Sequence, residues 1–479
     1  MPREFFEGGQ LELLKMEEVE RIHETSLRIL DEVGIKVPLV EALDIYAAGG
    51  ALVDRDSAVV KFPPSIIEQA LSRAPSEIRL CGRDEANDLH LARKNVFAGT
   101  GGAEVKVLDL DTGRLRDAVL RDVADLAKLV DALDHIDFYI RPVEAQDIPL
   151  EKLDVNKYYA ALCNTTKHVM GNVYFREKVA EVMEMAAVLT GGVQELRKRP
   201  IVSFITSWML GTLAVNPEVT GILIEIASRG MPIALSSVSI LGLTSPVTMA
   251  GNLALTHAEQ MAGIALCQMI NPGTPVIYGG CPGVIDLRSL AFCPGSIERT
   301  ILNTAISQLS RRIKIPNYNF AGGTDAKIPD IQTGYEKAFG ICMTALAGSN
   351  YIHHAAGRIK DGVAYEQYVI DNEIIGMAKR TLKGIRITED ALALEVIRSV
   401  KHGGSFIDHD HTLEHFRDEL FFPRVADRKS WDKWESSGSL DTRERARREA
   451  KRILDNHRPQ PIPESCDAQI RNRFEIAFR

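Results

Sequence analysis

Basic charge, aromatic rings, paired cysteines and long apolar runs are all scarce in this chain. Lys and Arg number 57 against 65 Asp and Glu, a net charge of -8. With no basic stripe along any face, nucleic acid is not an expected partner. The start, Met1-Pro2-Arg3-Glu4-Phe5-Phe6-Glu7, has no apolar signal-peptide core, and Pro, Gly, Ser or Asn breaks each apolar stretch before about 18 residues. The expectation is a cytoplasmic protein with no membrane contact. The seven cysteines, at 81, 163, 267, 281, 293, 342 and 466, form no C-x-x-C pair and fit reduced, core-packing thiols. Cys281 and Cys293 flank a proline-containing loop, but their spacing makes no zinc site. No G-x-G-x-x-G opens a helix, which sets a dinucleotide fold aside.

What is present is a repeating alternation. Residues 16–33, 39–48 and 64–73 carry apolar side chains at helical spacing and predict a helical N-terminal region over 1–95. From residue 96 the pattern becomes short apolar strands followed by amphipathic helices. The predicted strands are 96–100, 136–143, 168–174, 201–207, 233–239, 276–280, 316–320 and 351–357, with helices at 121–133, 153–163, 176–189, 217–228, 247–270, 296–312, 332–347 and after Gly362. Eight alternations in one run predict an α/β fold, a (β/α)8 TIM barrel over about 96–370, with a hairpin insertion near 105–116 and helical N- and C-terminal additions. The tail, 371–479, predicts helices at 389–402 and 442–456 and a proline-rich extended arm. Such arms often wrap a neighbouring subunit, so a homo-oligomer is expected.

The stretch Ile315-Pro-Asn-Tyr-Asn-Phe-Ala-Gly-Gly-Thr-Asp-Ala-Lys327 reads as a barrel strand running into two glycines and a polar loop. Asp325 and Lys327 fall where a loop after a strand faces a barrel mouth, although Asp325 suits an ordinary helix cap equally well.

The runs Thr244-Ser-Pro-Val-Thr-Met-Ala-Gly251, Pro272-Gly-Thr-Pro-Val-Ile-Tyr-Gly279, Gly323-Thr-Asp-Ala-Lys327 and His354-Ala-Ala-Gly357, with 411–417 and 421–428, resemble the trimethylamine methyltransferase family. The resemblance implies a (β/α)8 barrel that moves a methyl group from an amine to the Co(I) of a separate corrinoid protein. Members acting on trimethylamine carry an encoded pyrrolysine, whereas every position here is a standard residue. The chain is therefore similar to the non-pyrrolysine branch, which implies a quaternary amine such as glycine betaine, proline betaine or carnitine as methyl donor. It also implies that the chain binds no cofactor itself and that the corrinoid (cobalamin) comes with the partner protein.

Demethylating a quaternary ammonium releases a neutral amine, so neither a proton donor nor a metal is required. An aromatic cage is expected to hold the ammonium. Phe97, Tyr139, Tyr174, Trp208, Tyr278, Tyr318 and Phe320 all fall on or near strand ends, although alternation sends about half of such residues into the surrounding helices. For a carboxylate, His354 and Asn172 are the candidate donors, with Asp325 offsetting the ammonium charge. His353 and His354 are expected to face opposite ways, His354 inward. No catalytic side chain is assigned beyond orienting the methyl group. His411 and His415, at i and i+4, have the spacing of a metal pair. With His409 they lie outside the barrel among acids able to pair with Arg417 and Arg424, so a structural or corrinoid-docking role is favoured and no metal ligand is assigned. A betaine-binding or sensor protein on the same barrel is the alternative function. A folate-linked or corrinoid-linked enzyme with another donor would need a pterin site that the sequence does not offer.

Overall fold

The eight apolar runs become eight short parallel strands in the computed structural model, which describes residues 5–478. They are β1 Phe97–Ala98, β2 Phe138–Ile140, β3 His168–Gly171, β4 Val202–Ser207, β5 Ile233–Ser237, β6 Val276–Gly280, β7 Tyr318–Phe320 and β8 Tyr351–His353. Strands β2 to β6 pair in chain order, and β7, β8 and β1 pair in that order. Two seams close the ring. A bridge between Tyr278 and Asn317 joins β6 to β7. Asp137 joins β2 to β1: its N–H donates to Ala98 O at 2.7 Å, and its carboxylate accepts from Ala98 N at 2.8 Å. This is the expected (β/α)8 barrel.

A helix follows each strand: α1 Leu120–Ala132, α2 Leu150–Asn164, α3 Lys178–Thr190, α4 Pro217–Ser228, α5 Met249–Ile270, α6 Ile297–Arg312, α7 Ile331–Leu346 and α8 Tyr365–Lys383. Alternation along the strands sorts their side chains into two layers. Phe97, Phe138, Ile140, Met170, Tyr318, Phe320 and Tyr351 fill the barrel interior. Tyr139, Phe204, Leu235, Tyr278 and Ile352 pack outward against the helices.

The N-terminal part is mixed rather than purely helical. Helices Met16–Arg28, Val40–Ala48 and Pro64–Arg73 are there, but so are an antiparallel sheet of Ile35–Lys36, Leu52–Asp54 and Val59–Lys61 and a hairpin of Ile78–Leu80 with Leu89–Leu91. Strands of two or three residues are too short to show an alternating pattern. The hairpin inserts Ile78, Leu80, Leu89 and Leu91 into the interior cluster beside Phe97. It therefore plugs the barrel at the N-terminal ends of the strands and leaves the opposite end for function. In the first connection, Lys106–Leu108 pairs antiparallel with Leu115–Asp117.

The tail departs from expectation twice. The helix predicted over 389–402 breaks into Glu389–Leu392 and Leu394–Val400 at Ala393, whose φ is 52°. The terminal arm contains a helix, Glu464–Arg473, and lies on its own barrel. Ala477 N donates to Asn156 Oδ1 of α2 at 2.7 Å, and Asn156 Nδ2 donates to Glu475 O at 2.9 Å. Among the described residues, no helix is long and apolar enough to cross a membrane.

Candidate active site

The exits of β7 and β8 hold a dense group of chemistry-bearing side chains at the functional end. A buried ion pair pins both exits: Lys337 of α7 lies 3.2 Å from Asp371 of α8 and donates to Gly322 O at 2.6 Å, while Asp371 accepts from Gly357 N at 2.7 Å. Gly322 has φ +84° and a Cβ there would meet His354 O at 2.9 Å, so this glycine serves close packing of the two exits rather than contact with a ligand.

Within that frame the two histidines do not face opposite ways. His353, the last residue of β8, points inward and stacks on Tyr318 with ring centroids 3.6 Å apart. His354 has already left the strand, with φ 59°, so strand alternation no longer governs it. Its ring turns back over the mouth against Phe320, at 4.1 Å, and the Nδ1 atoms of the two histidines are 2.5 Å apart. Gly101 makes room, because a Cβ there would meet His354 Nδ1 at 2.7 Å. Burial and the nearby Arg299 and Arg358 cations hold both imidazoles well below their usual pKa, so both are neutral at pH 7. Cys281 Sγ lies 3.3 Å from His353 Nε2, and burial pushes that thiol up to about 12. With neutral rings, a thiol S–H donating to His353 Nε2 lets His353 Nδ1–H donate to His354 Nδ1. His354 Nε2–H is then left as a donor at the mouth.

Two arginines complete the group. Arg299, in the first turn of α6, is 3% exposed and stacks on Phe320 with its guanidinium carbon 3.3 Å from the ring centroid. Its Nε and Nη1 have no hydrogen-bond partner, and it enters no ion pair among the described residues. Burial, then the Arg358 cation, bring its pKa down to about 9, so it stays charged at neutral pH. Arg358 lies over the same ring at 5.3 Å and pairs with Glu104, from the loop after β1, at 2.8 Å. Neither arginine was singled out from the sequence. A usable signal was there for Arg299, since a cation in the first turn of a helix opposes the helix dipole.

Of the nine residues expected to bind substrate, three meet here: Tyr318, Phe320 and His354. Tyr139 and Tyr278 are corrections. Tyr139 donates to Val123 O of α1 at 2.8 Å, and the Tyr278 hydroxyl lies 3.0 Å from His257 Nδ1 of α5, so both belong to the outer layer. Trp208 is likewise buried against α5, where a Cβ on Gly263 would meet its ring. Phe97 faces inward but at the plugged end, edge-on to Phe5 at 6.2 Å. Asp325 is tied to Lys360 at 3.0 Å and accepts from Gly295 N at 3.2 Å, and the cap of α7 is Asp330 instead.

Asn172 and Tyr174 join a second polar group at the exits of β2 and β3. Asn172 Oδ1 accepts from Lys157 of α2 at 3.0 Å, and the Lys157 ammonium sits 4.7 Å from the Tyr174 ring centroid. Lys157 also meets Asp154 at 2.8 Å and Glu144 at 3.6 Å, while Glu144 pairs with Arg141. Burial lowers the Lys157 pKa to about 7. In this network two basic groups face two carboxylates, whereas Arg299 has no ion-pair partner among the described residues. A groove of about 330 Å³ lined by Arg93, Lys94, Arg311 and Lys314 lies on the opposite face, at the N-terminal ends of β7 and β8. Barrel enzymes do not place their chemistry on that face.

A family model described as trimethylamine methyltransferase (MTTB) matches residues 6–476. The chain belongs to that methyltransferase family. It is 35% identical over 471 residues to the trimethylamine methyltransferase MttB of Desulfitobacterium hafniense (strain DSM 10664 / DCB-2), covering 98% of this chain and 94% of that one. It is 32% identical over 462 residues to the glycine betaine methyltransferase of Desulfitobacterium hafniense (strain Y51), covering 96% and 95%. Among solved structures it resembles the Methanosarcina barkeri monomethylamine methyltransferase, with TM-score 0.50, 12% identity and coverage of 92% and 93%. At that identity the likeness concerns the fold alone.

Proposed function

We propose that the chain takes a methyl group from a quaternary amine that also bears a carboxylate, a betaine, and delivers it to the reduced corrinoid of a separate protein. The observation that carries this reading is Arg299, a buried cation with unpartnered N–H groups at the functional end of the barrel. An unpaired buried charge costs several kcal/mol, which an anionic ligand offsets. Trimethylamine brings no anion, and once protonated it would add a second positive charge. A betaine carries its own counter-charge. Identities of 35% and 32% to relatives named for trimethylamine and for glycine betaine do not separate the two substrates, so the preference rests on the charge of the site.

In this reading Arg299 takes the carboxylate as a fork, with His354 Nε2–H as an additional donor. The ammonium methyls then point toward the open end, where the partner's corrinoid supplies the nucleophile. The N–CH₃ bonding pair stays on nitrogen, so a neutral tertiary amine leaves and no residue has to move a proton. That agrees with histidines held neutral and a thiol held protonated. What the chain contributes is orientation and exclusion of water.

The test is a panel of glycine betaine, proline betaine, carnitine, choline and trimethylamine, incubated with the protein and cob(I)alamin, with acceptor methylation followed by absorbance. At least one carboxylate-bearing donor should react, with choline and trimethylamine inert. Trimethylamine reacting as fast as the best betaine would sink the reading. Betaine-dependent thermal stabilisation without any methyl transfer, with the corrinoid partner supplied, would favour a sensor instead.

A further inference from the structure

Outside the barrel, residues 383–424 contain no buried residue among those described. They nonetheless form three short helices, Glu389–Leu392, Leu394–Val400 and Asp410–Glu419, of 4, 7 and 10 residues. Helices this short are marginal without a packed face, and units without a core are commonly held by a metal or another cross-link. Several of its apolar side chains stay open: Ile385 is 85% exposed and Ile407 72%.

What the segment does bring together is Asp390, His411 and His415, with one donor atom from each lying within 4.8 Å of the others. His411 and His415 are one helical turn apart, so they share a face, with ring centroids at 4.3 Å. Asp390 approaches from the first short helix, its Oδ2 3.0 Å from His415 Nε2. That nitrogen is enclosed, yet it makes no hydrogen bond of acceptable geometry. His411 Nε2 lies 3.2 Å from the Asp390 carbonyl. The arginines expected to balance the surrounding acids are engaged elsewhere: Arg424 pairs with Asp134, and Arg417 lies over the Phe416 ring at 5.5 Å. His409 serves as the cap, its Nδ1 accepting from His411 N at 3.2 Å.

We infer that Asp390, His411 and His415 form a site for a divalent transition-metal ion that staples this segment together. Two imidazole nitrogens and one carboxylate oxygen suit Zn²⁺, whereas Ca²⁺ and Mg²⁺ take all-oxygen sets. Tetrahedral Zn²⁺ with bonds of about 2.0–2.2 Å spaces its donors roughly 3.3–3.6 Å apart. With no pair more than 4.8 Å apart, the donors have to close by at most about 1.5 Å, which side chains on separate, coreless helices can do. Water fills the fourth position. The role is structural: the segment leaves from the end of α8, and Phe421 returns to His135 at the start of β2, with ring centroids 6.1 Å apart, on the face away from the mouth. From the sequence the set was incomplete, because Asp390 stands 21 residues before His411.

The experiment uses the full chain stripped with EDTA and titrated with ZnCl₂ and, separately, CoCl₂. One equivalent of Zn²⁺ per chain should bind, Co²⁺ should give the visible absorption of a tetrahedral site, and Zn²⁺ should slow proteolysis within 385–424. All three effects should disappear in the His411→Ala/His415→Ala double variant and weaken in Asp390→Asn. In the wild-type chain, Zn²⁺ should also shield these two histidines from diethyl pyrocarbonate, a readout independent of whether the variants fold. Binding that the double variant retains, or histidines modified equally fast with and without Zn²⁺, would overturn the assignment.

Discussion

Replacing Arg299 separates the proposed role of this side chain from a packing role, because the two predict opposite effects on the ligand-free protein. Arg299→Met keeps much of the volume and removes the charge. The fall of the Arg299 pKa from 12.5 to about 9 corresponds to at most roughly 5 kcal/mol of penalty on the buried charged form. Against that release stands the lost stacking on Phe320 at 3.3 Å, about 1–2 kcal/mol. The ligand-free variant should therefore melt at the wild-type temperature or several degrees above it. Function should move the other way. Losing two hydrogen bonds from the guanidinium to a carboxylate, at about 1.5–3 kcal/mol each, should lower kcat/KM for a betaine by roughly two to four orders of magnitude. Arg299→Lys, which keeps the charge but not the fork, should fall in between. Differential scanning fluorimetry with and without glycine betaine, and initial rates with cob(I)alamin, read both effects. An Arg299→Met protein that is destabilised yet turns over betaine within a few fold of wild type would refute the reasoning.

The remaining predictions concern the groups around this centre and the frame beneath it. His354→Ala should lower kcat/KM about ten- to a hundredfold, the loss of one hydrogen bond to a charged group, with the fold retained. His353→Ala should lower both melting temperature and rate, because His353 stacks on Tyr318 and holds His354 in place. Glu259 of α5 is buried and its pKa is raised to about 7, so the folded state keeps a proton that the unfolded chain loses near 4.5. Stability should thus fall as pH rises from about 4.5 to 7, by at most about 3 kcal/mol, and Glu259→Gln should flatten that slope in melts taken between pH 5 and 8. Lys167 caps the C-terminal end of α1 by donating to Val130 O, Leu133 O and Ile136 O at 2.6, 2.7 and 2.6 Å. Lys167→Met should cost about 2–4 kcal/mol in urea unfolding without altering KM for a betaine.

The barrel was legible because parallel strands buried on both faces read as continuous apolar runs separated by longer helical stretches, as in 233–237 followed by 249–270. That same property hid the phase of each strand. In β2 the residues Phe138, Tyr139 and Ile140 are all apolar or aromatic, so nothing local says that Tyr139 faces the helices and its neighbours face the interior. His354 escaped for another reason: a non-glycine residue at φ 59° ends the alternation, and only the surrounding fold imposes that conformation. Arg299 comes to the site from a helix, not from a strand end, so a search along strand ends passed over it. In the tail, the break at Ala393 carries neither Gly nor Pro to mark it.

The most direct measurement is a crystal structure of the protein soaked with glycine betaine. The account predicts the carboxylate within hydrogen-bond distance of Arg299 and His354, with the ammonium methyls directed to the open end of the barrel. Betaine bound instead in the basic groove beneath the barrel, or seated with its ammonium rather than its carboxylate against Arg299, would contradict it.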